Sequence, residues 1–325
     1  MKSFNNTLGS AAALFNAKYL RRYSPLIVGF SLLNSCTNKC IYCNTWIYDK
    51  NQLKTPEILK IIEELALNGC KRISFTGGEP LLRKDIGQII DYSKKKGLIV
   101  GLNSNGNLVK NKIEDIINLD ILTLSLDGPC AIHDKQRGKG SYGKVMEAIN
   151  VAKDNNIRTN LTCVLTKYNI NSVEFLINKA EKEKCIIFFQ PVSLIPLGKK
   201  KICKLRPDKK EFSKAIDILI NSRSKYIGNS LGGLNYLKKW PGAYFKECCA
   251  AKIYCAVDPN GNLYSCSNLR DQEQGKNILK MGFRKSFDSL NRKSCMNCWC
   301  SSKLEMNYLL ALDFDAIKKS LFSQI

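Results

Sequence analysis

Short β-rich runs alternate with helical patterns six times between residues 26 and 222 of the 325-residue chain. The β-rich runs cover residues 26–33, 72–77, 98–103, 121–127, 158–166 and 185–190. The first helical stretch begins at residue 55, and the other five cover residues 84–96, 111–118, 141–155, 172–183 and 208–222. Strand, helix and strand in regular succession predict parallel strands joined by crossover helices. The sequence therefore predicts an α/β fold whose parallel sheet is doubly wound or closes toward a barrel.

Polar loops follow the predicted strands, and the carboxyl ends of parallel strands meet at one rim, where active sites are found. Three cysteines follow the first strand, and the tetrad Gly-Gly-Glu-Pro follows the second strand at residues 77–80. The later strands are followed by polar residues at 103–106, 125–128, 166–169 and 190–191. Each loop alone is an ordinary turn sequence, but together they outline one pocket.

The first of these loops places Cys36, Cys40 and Cys43 within eight residues of a chain that has one histidine. A 4Fe-4S cube that is held by three thiolates leaves one iron open to a ligand that is not protein. A zinc site usually has four ligands, so it would have to borrow His133 from another loop. The spacing favours iron-sulfur, with zinc as the alternative.

The spacing C-x3-C-x2-C, with Tyr42 before the last cysteine and the Gly-Gly-Glu-Pro tetrad after the second strand, resembles the radical S-adenosylmethionine (radical SAM) superfamily. The resemblance implies a partial (β/α)6 TIM-type barrel of parallel strands over residues 26–225. It also implies that the open iron binds SAM, which is reductively cleaved to methionine and a 5'-deoxyadenosyl radical. That radical would take a hydrogen atom from the substrate.

The resemblance also implies roles for residues at the rim. Gly77, Gly78 and Glu79 would present backbone groups to the methionyl end of SAM, and Pro80 would fix their turn. Arg137 resembles an arginine that pairs with the SAM carboxylate in related enzymes, and the alternative is a solvated loop arginine. The remaining expected SAM contacts are the ring of Tyr42 beside the adenine, and hydrogen bonds between the ribose and carboxylate groups of SAM and the residues Ser104, Asn105, Ser125 and Asp127.

A second group of cysteines lies between residues 248 and 300, around a turn at residues 258–261 that predicts a β-hairpin. The layout resembles the twitch form of the SPASM extension of radical SAM enzymes, which binds an auxiliary 4Fe-4S cluster. The ligands that this resemblance implies are Cys249, Cys266, Cys295 and Cys298. Further candidate ligands are Cys248, Cys255 and Cys300, and a structural zinc knuckle is the alternative.

The chain is accordingly expected to have three parts. Residues 1–25 would form a helical extension, residues 26–225 the barrel, and residues 226–325 a small cysteine-rich domain of a β-hairpin and helices. Within the last part, residues 303–322 predict one amphipathic terminal helix that closes over the core.

Composition limits the cellular location and the binding partners that we expect. Fifteen cysteines at uneven spacing, with no evident signal peptide or membrane-spanning run, indicate a cytoplasmic enzyme without a disulfide framework. The formal net charge of +23 would by itself suggest an anionic partner such as nucleic acid. Because most of the lysines are scattered over predicted helix faces, we interpret the charge as a solvated basic surface and do not expect nucleic acid as the partner. The N-terminal helix should pack on the outside of the fold, with peripheral membrane contact as the alternative.

The expected substrate is a small molecule or a peptide that is modified after hydrogen abstraction, with an electron donor such as flavodoxin or ferredoxin. Two alternatives belong to other classes: an iron-sulfur protein for electron transfer or sensing, and a radical enzyme that modifies nucleic acid.

Overall fold

The computed structural model describes residues 2–45, 50–192, 204–242, 247–292 and 298–323. In this part of the chain, nine strands form one sheet in the order β6-β5-β4-β3-β2-β1-β7-β8-β9. The pairings from β6 across to β7 are parallel, and those of β8 are antiparallel. The strands are β1 Ile27–Ser31, β2 Arg72–Thr76, β3 Ile99–Ser104, β4 Ile121–Ser125, β5 Thr159–Leu165, β6 Ile186–Pro191, β7 Tyr254–Val257, β8 Asn262–Tyr264 and β9 Lys276–Asn277. The prediction of an open, partial barrel of six parallel strands is confirmed.

Helices follow the barrel strands as the alternating pattern predicts, and further helices belong to the C-terminal part. In the described residues they are α1 Lys2–Tyr19, α2 Thr55–Leu67, α3 Ile86–Lys95, α4 Ile113–Ile116, α5 Cys130–Arg137, α6 Ser141–Asp154, α7 Val173–Glu183, α8 Lys209–Ser222, α9 Leu231–Leu237, α10 Ile278–Met281, α11 Phe283–Asp288, α12 Ser301–Leu310 and α13 Phe314–Ser323.

The two faces of the barrel strands differ in character because successive side chains of a strand point to opposite sides. On β2, Ile73 and Phe75 have no exposed surface and pack into the apolar core under the helices. Arg72, Ser74 and Thr76 alternate with them and line a cavity inside the barrel. The barrel therefore has an apolar outer layer and a polar interior that is open to a ligand.

The predicted hairpin is confirmed, and it extends the barrel sheet. β7 and β8 pair antiparallel across residues 258–261, where Asp258 Oδ1 accepts hydrogen bonds from the backbone N–H groups of Asn260 and Asn262, each at 2.9 Å. Gly261 adopts φ +78°, a left-handed conformation that favours glycine. β7 lies parallel to β1, with Tyr254 opposite Ile27, and this pairing was not predicted.

Two local predictions are wrong. Residues 303–322 form two helices, because Leu312 adopts φ +62° between α12 and α13 and Asp313 Oδ1 accepts from the Ala316 N–H at 2.9 Å to start the second helix. The residues around His133 are not a loop but the helix α5, with Arg137 as its last residue.

The N-terminal helix α1 packs across the outside of the fold, as expected. Ala17 is buried against α12 residues, and Lys18 Nζ donates to the Ala311 carbonyl at 2.7 Å. Phe15, Tyr19 and Leu20 remain more than half exposed on the other side of this helix end. Among the described residues, none of the helices has both the length and the apolar character required to cross a membrane.

Candidate active site

The Gly-Gly-Glu-Pro tetrad holds the cysteine loop through its backbone. The N–H of Gly78 donates to the Leu33 carbonyl and the N–H of Glu79 donates to the Ser35 carbonyl, both at 2.8 Å. A Cβ atom on Gly77 would lie 2.3 Å from the Leu33 oxygen, and one on Gly78 would lie 1.9 Å from the Ser35 oxygen. Both positions therefore require glycine, because the two loops approach more closely than a side chain permits.

The Glu79 side chain points into the protein and ties two strand ends together. Its carboxylate accepts from Ser104 Oγ at 3.0 Å, from the Asn105 N–H at 2.8 Å and from the Leu81 N–H at 3.2 Å. Burial raises the pKa of Glu79 to about 7, and these three donors partly oppose that rise. Pro80, which is also buried, starts the short 3-10 turn that follows.

The end of β3 contacts the cysteine loop directly. Asn105 Nδ2 donates to Thr37 Oγ1 at 2.9 Å and lies 3.6 Å from Cys36 Sγ. Asn107 Nδ2 donates to Asn38 Oδ1 at 2.6 Å. Ser104 and Asn105, which were expected to contact SAM, are therefore engaged with Glu79 and with the cysteine loop.

The three cysteines of the loop are half-buried, and neighbouring cysteines act on the ionisation of Cys36 and Cys40. Burial raises the pKa of Cys36, and it raises the pKa of Cys40 to about 11 against the opposing charge of Arg137. Without a metal the Cys36 and Cys40 thiols therefore stay protonated at neutral pH, and a bound cation would favour their thiolates. As the side chains stand in the described residues, no three Cys, His, Asp or Glu groups already form a metal-binding cluster. A donor set of three thiols, of which Cys43 lines the cavity, fits an iron-sulfur cluster.

Asp127, Arg137 and Tyr42 form a buried polar group behind the cysteine loop. Arg137 Nε and Nη2 donate to the Asp127 carboxylate at 2.6 and 3.3 Å, and the Tyr42 hydroxyl donates to Asp127 Oδ2. Arg137 Nη1 lies 4.0 Å from Cys40 Sγ. The alternative of a solvated Arg137 is wrong, because only 6% of this residue is exposed. The carboxylate that faces its guanidinium in this structure is Asp127.

His133 belongs to the same helix as Arg137 and is fully buried. Its Nδ1 accepts a hydrogen bond from the Asp127 N–H at 3.1 Å, and burial lowers the pKa of His133 to about 4. The imidazole is therefore neutral at pH 7 and one of its nitrogens is already bound to the backbone.

The rim residues surround a cavity of about 510 Å³ inside the barrel. Tyr42, Cys43, Gly77 and Ser125 line it, whereas Asp127 is fully buried. The interior strand positions supply further lining residues with polar side chains: Ser31, Arg72, Ser74, Thr76, Asn103, Thr123, Asn160, Thr162 and Gln190. The sequence-predicted sites thus divide into residues that border the cavity and residues that support the bordering loops.

The C-terminal cysteines separate into two environments. Cys249 and Cys266 are buried in one small apolar cluster that Cys248 flanks, and Cys298 acts electrostatically on Cys249. Cys255 lies instead in the main core beside Cys70, away from this group. Cys295 lies outside the described residues.

Cys300, which sequence reasoning left as an extra candidate, lines the barrel cavity with Lys303. Lys303 Nζ stands 5.0 Å from the centroid of the Tyr254 ring, and Tyr254 also lines the cavity. Sequence reasoning missed Lys303, Tyr254 and Arg72. The alternation of Arg72, Ser74 and Thr76 with buried residues could have identified Arg72, but no local signal marks Lys303.

Comparisons with known proteins agree with this geometry. Residues 30–180 match the model of the radical SAM superfamily. The GTP 3',8-cyclase of Clostridium perfringens (strain SM101 / Type A) is 27% identical over 284 residues, which cover 78% of this chain and 85% of that protein. The Fe-coproporphyrin III synthase of Methanosarcina barkeri is 29% identical over 168 residues, or 49% of this chain and 42% of that protein.

Solved structures share the fold. The structure of anSMEcpe with bound AdoMet and Cp18Cys peptide is 20% identical, with a TM-score of 0.65 over 82% of this chain and 80% of that chain. Streptococcus suis SuiB bound to S-adenosylmethionine is 16% identical, with a TM-score of 0.67 over 79% of this chain and 64% of that chain. With the matched family model and these relatives, residues 30–180 form a radical SAM domain, and enzymes of this superfamily use a 4Fe-4S cluster and S-adenosylmethionine.

Proposed function

We propose that the chain holds a 4Fe-4S cluster through Cys36, Cys40 and Cys43 and abstracts a hydrogen atom from a substrate in the barrel cavity. The observation that carries the proposal is the position of the cysteine loop, since Cys43 and Gly77 both border the 510 Å³ cavity. When bound and reduced, the cluster supplies with SAM a 5'-deoxyadenosyl radical, and the protein supplies position and exclusion of water.

Some residues would contact SAM directly, and others would support the loops that bind it. Gly77, Ser125 and the Tyr42 ring border the cavity and are the proposed contacts. Glu79, Ser104 and Asn105 would keep the rim loops in register, as their mutual hydrogen bonds support. Pro80 would fix the turn.

Asp127 and Arg137 support the cysteine loop in this proposal. The Arg137 fork holds Asp127, and its remaining nitrogen faces Cys40, where a positive charge would stabilise a thiolate. Pairing of Arg137 with the SAM carboxylate would require it to share its guanidinium between that group and Asp127.

We further propose an auxiliary 4Fe-4S cluster in the C-terminal part, with Cys249, Cys266, Cys295 and Cys298 as ligands. The proximity of the buried Cys249, Cys266 and Cys298 supports it. Cys248 and Cys300 are the alternatives for one position. A donor set of thiols without imidazole fits an iron-sulfur cluster and also a zinc knuckle, which metal analysis distinguishes.

The proposed substrate is a small molecule or a short stretch of peptide, since ligand cavities of roughly 300–1,000 Å³ take ligands of that size. Sequence relatives support both classes by their names, a GTP 3',8-cyclase and the mycofactocin maturase MftC. An external reductant such as flavodoxin or ferredoxin would supply the electron. Peripheral contact of α1 with a membrane surface is proposed from its exposed Phe15 and Tyr19.

The test is formation of 5'-deoxyadenosine by the anaerobically reconstituted, reduced chain with SAM. Cys40→Ala should abolish the product, whereas Cys130→Ala, at an exposed cysteine outside both groups, should retain it. About eight irons per chain would support two 4Fe-4S clusters. Iron binding without SAM cleavage would refute the enzyme and favour an electron carrier.

A further inference from the structure

Resting on the proposed function, we propose that the substrate carries a carboxylate or phosphate group that binds a basic floor of the barrel cavity. We define the basic floor as Arg72, Tyr254 and Lys303, all of which line the cavity. Nothing in the cysteine spacing or the rim loops requires these three residues.

The strand register brings the floor residues to one end of the barrel. Tyr254, Ile27 and Arg72 are the first residues of β7, β1 and β2, and they are direct neighbours across the three parallel strands. Neighbouring strands lie about 4.8 Å apart, so Tyr254 and Arg72 begin roughly 10 Å from each other. This separation suits one small anion held between two side chains.

Tyr254 lies inside the cavity over β1. A Cβ atom on Gly29 would come within 2.8 Å of the Tyr254 hydroxyl, so glycine at this position makes room for the ring. Lys303 Nζ stands 5.0 Å from the same ring centroid. Lys303 and Tyr254 are thus close to each other. Arg72 lines the same cavity from the other side of β1, with its Nη2 3.7 Å from the position of a Cβ atom on Gly101 in β3.

Arg72 is an unusual inward residue in a barrel of small polar side chains. Burial lowers the pKa of Arg72 to about 10, with the charge of Asp120 acting against that change. Asp120 also accepts from Lys94 Nζ at 2.5 Å and from the Val100 N–H at 2.7 Å, so its negative charge is shared. Asp120 thus compensates the Arg72 guanidinium in part, and an anion in the cavity would share that guanidinium with Asp120.

Among the described residues that line the cavity, the carboxylates are Asp258 and Asp271. Asp258 follows the far end of β7 and is bound by the hairpin N–H groups and by Asn262 Nδ2 at 3.1 Å. The groups that act on the floor cations are Asp120, beside Arg72, and the thiols of Cys300 and Cys266, beside Lys303. Arg72 and Lys303 place two positive charges at the floor, and the net charge of +23 adds to the attraction of anions over longer distances.

Equilibrium dialysis of the reconstituted, unreduced chain tests the proposal. SAM is present to fill its own subsite, and the probes are radiolabelled pyrophosphate, succinate and neutral succinamide. We expect saturable binding of about one pyrophosphate or succinate per chain and no binding of succinamide. Preference between the two anions identifies phosphate or carboxylate as the recognised group.

Substitutions at the basic floor test whether the anion binds there. Arg72→Gln and Lys303→Gln should each weaken anion binding about 10- to 100-fold, the value of one charge-assisted contact. Arg223→Gln, at an exposed arginine outside the cavity, is the matched control and should bind as wild type. If Arg72→Gln does not fold, Arg72→Lys is measured instead, because lysine keeps the positive charge and lacks the planar guanidinium. We expect Arg72→Lys to bind the anion about tenfold more weakly than wild type.

Two results would overturn the inference: no saturable binding of either anion, or undiminished binding by both floor variants. The same preparations are assayed for 5'-deoxyadenosine with reductant. Absence of that product refutes the proposed function while leaving the anion site measured. SAM cleavage without anion binding refutes the anionic substrate alone.

Discussion

At the scale of single residues, Glu79 illustrates how a motif residue can act through the fold. Its side chain accepts hydrogen bonds from Ser104 and Asn105 while its N–H holds the cysteine loop at Ser35. The sequence predicted that this residue matters, but it predicted only its backbone role. Because the partners of Glu79 come from β3, only the folded chain could assign the carboxylate.

The raised pKa of Glu79 makes stability depend on pH. Below about pH 4.5 the carboxyl is protonated in folded and unfolded chains; as pH rises toward 7, the unfolded carboxyl ionises first. The free energy of unfolding should fall through this window by an amount on the order of 3 kcal/mol.

In urea unfolding of the cluster-free chain at about pH 5 and about pH 8, Glu79→Gln should show less of this fall than wild type. Glu114→Gln, at an exposed position, is the control, and an equal pH response of Glu79→Gln and wild type would contradict the prediction.

Gly78 provides a second residue-scale test. A Cβ atom there would meet the Ser35 carbonyl at 1.9 Å, so Gly78→Ala must displace the cysteine loop. We expect reconstituted Gly78→Ala to hold less iron at the N-terminal site and to lose SAM cleavage. Gly143→Ala is the matched control, because a Cβ at Gly143 in α6 meets no atom within 4 Å and alanine favours helix by about 1 kcal/mol. Normal iron in Gly78→Ala would show that the close approach is not required.

At the scale of elements, the alternation of strand and helix patterns predicted every barrel strand, because burial of a strand leaves a hydrophobic pattern in the local sequence. Short C-terminal helices were missed, and the terminal helix was predicted as continuous. Leu312 interrupts it in a left-handed conformation at φ +62°, which no apolar pattern signals. Gln190 Oε1 accepts from the Ser301 N–H at 3.1 Å and joins the start of α12 to the end of β6.

The break at Leu312 gives an element-scale prediction. A left-handed conformation costs a residue with a Cβ roughly 1–2 kcal/mol, and glycine removes this cost. Leu312 is 39% exposed, so replacing it loses some packing, and this loss is the same for glycine and for alanine. Leu312→Gly should therefore have a free energy of unfolding about 1 kcal/mol above that of Leu312→Ala in urea titrations. Equal stability of the two variants would show that the left-handed conformation carries no cost here.

At the scale of the whole molecule, charge and exposed apolar surface coincide at the end of α1. Phe15 and Tyr19 are 54% and 57% exposed, and Arg21 and Arg22 follow. Aromatic side chains beside cations are typical of helices that rest on anionic lipid. The chain should cosediment with vesicles that contain anionic lipid, and Phe15→Ser with Tyr19→Ser should reduce that binding.

The controls for vesicle binding come from the same chain. Leu67→Ser removes an exposed leucine, 81% accessible, from α2 and should leave vesicle binding unchanged. Binding should weaken with salt if the arginines contribute. Equal binding by the α1 double variant and the wild type would rule out this surface.

The sequence by itself determined the parallel barrel, the thiol loop and the family's cofactor chemistry, because these depend on spacings within one strand or one loop. Only the tertiary structure decided that Arg137 faces Asp127, that β7 joins β1, and that Arg72 and Lys303 share one cavity. The last two cases join distant parts of the chain, and Arg137 and Asp127, ten residues apart, belong to α5 and to the loop after β4. The partner of a buried charge is set by packing between elements, and that packing has no local signature in the sequence.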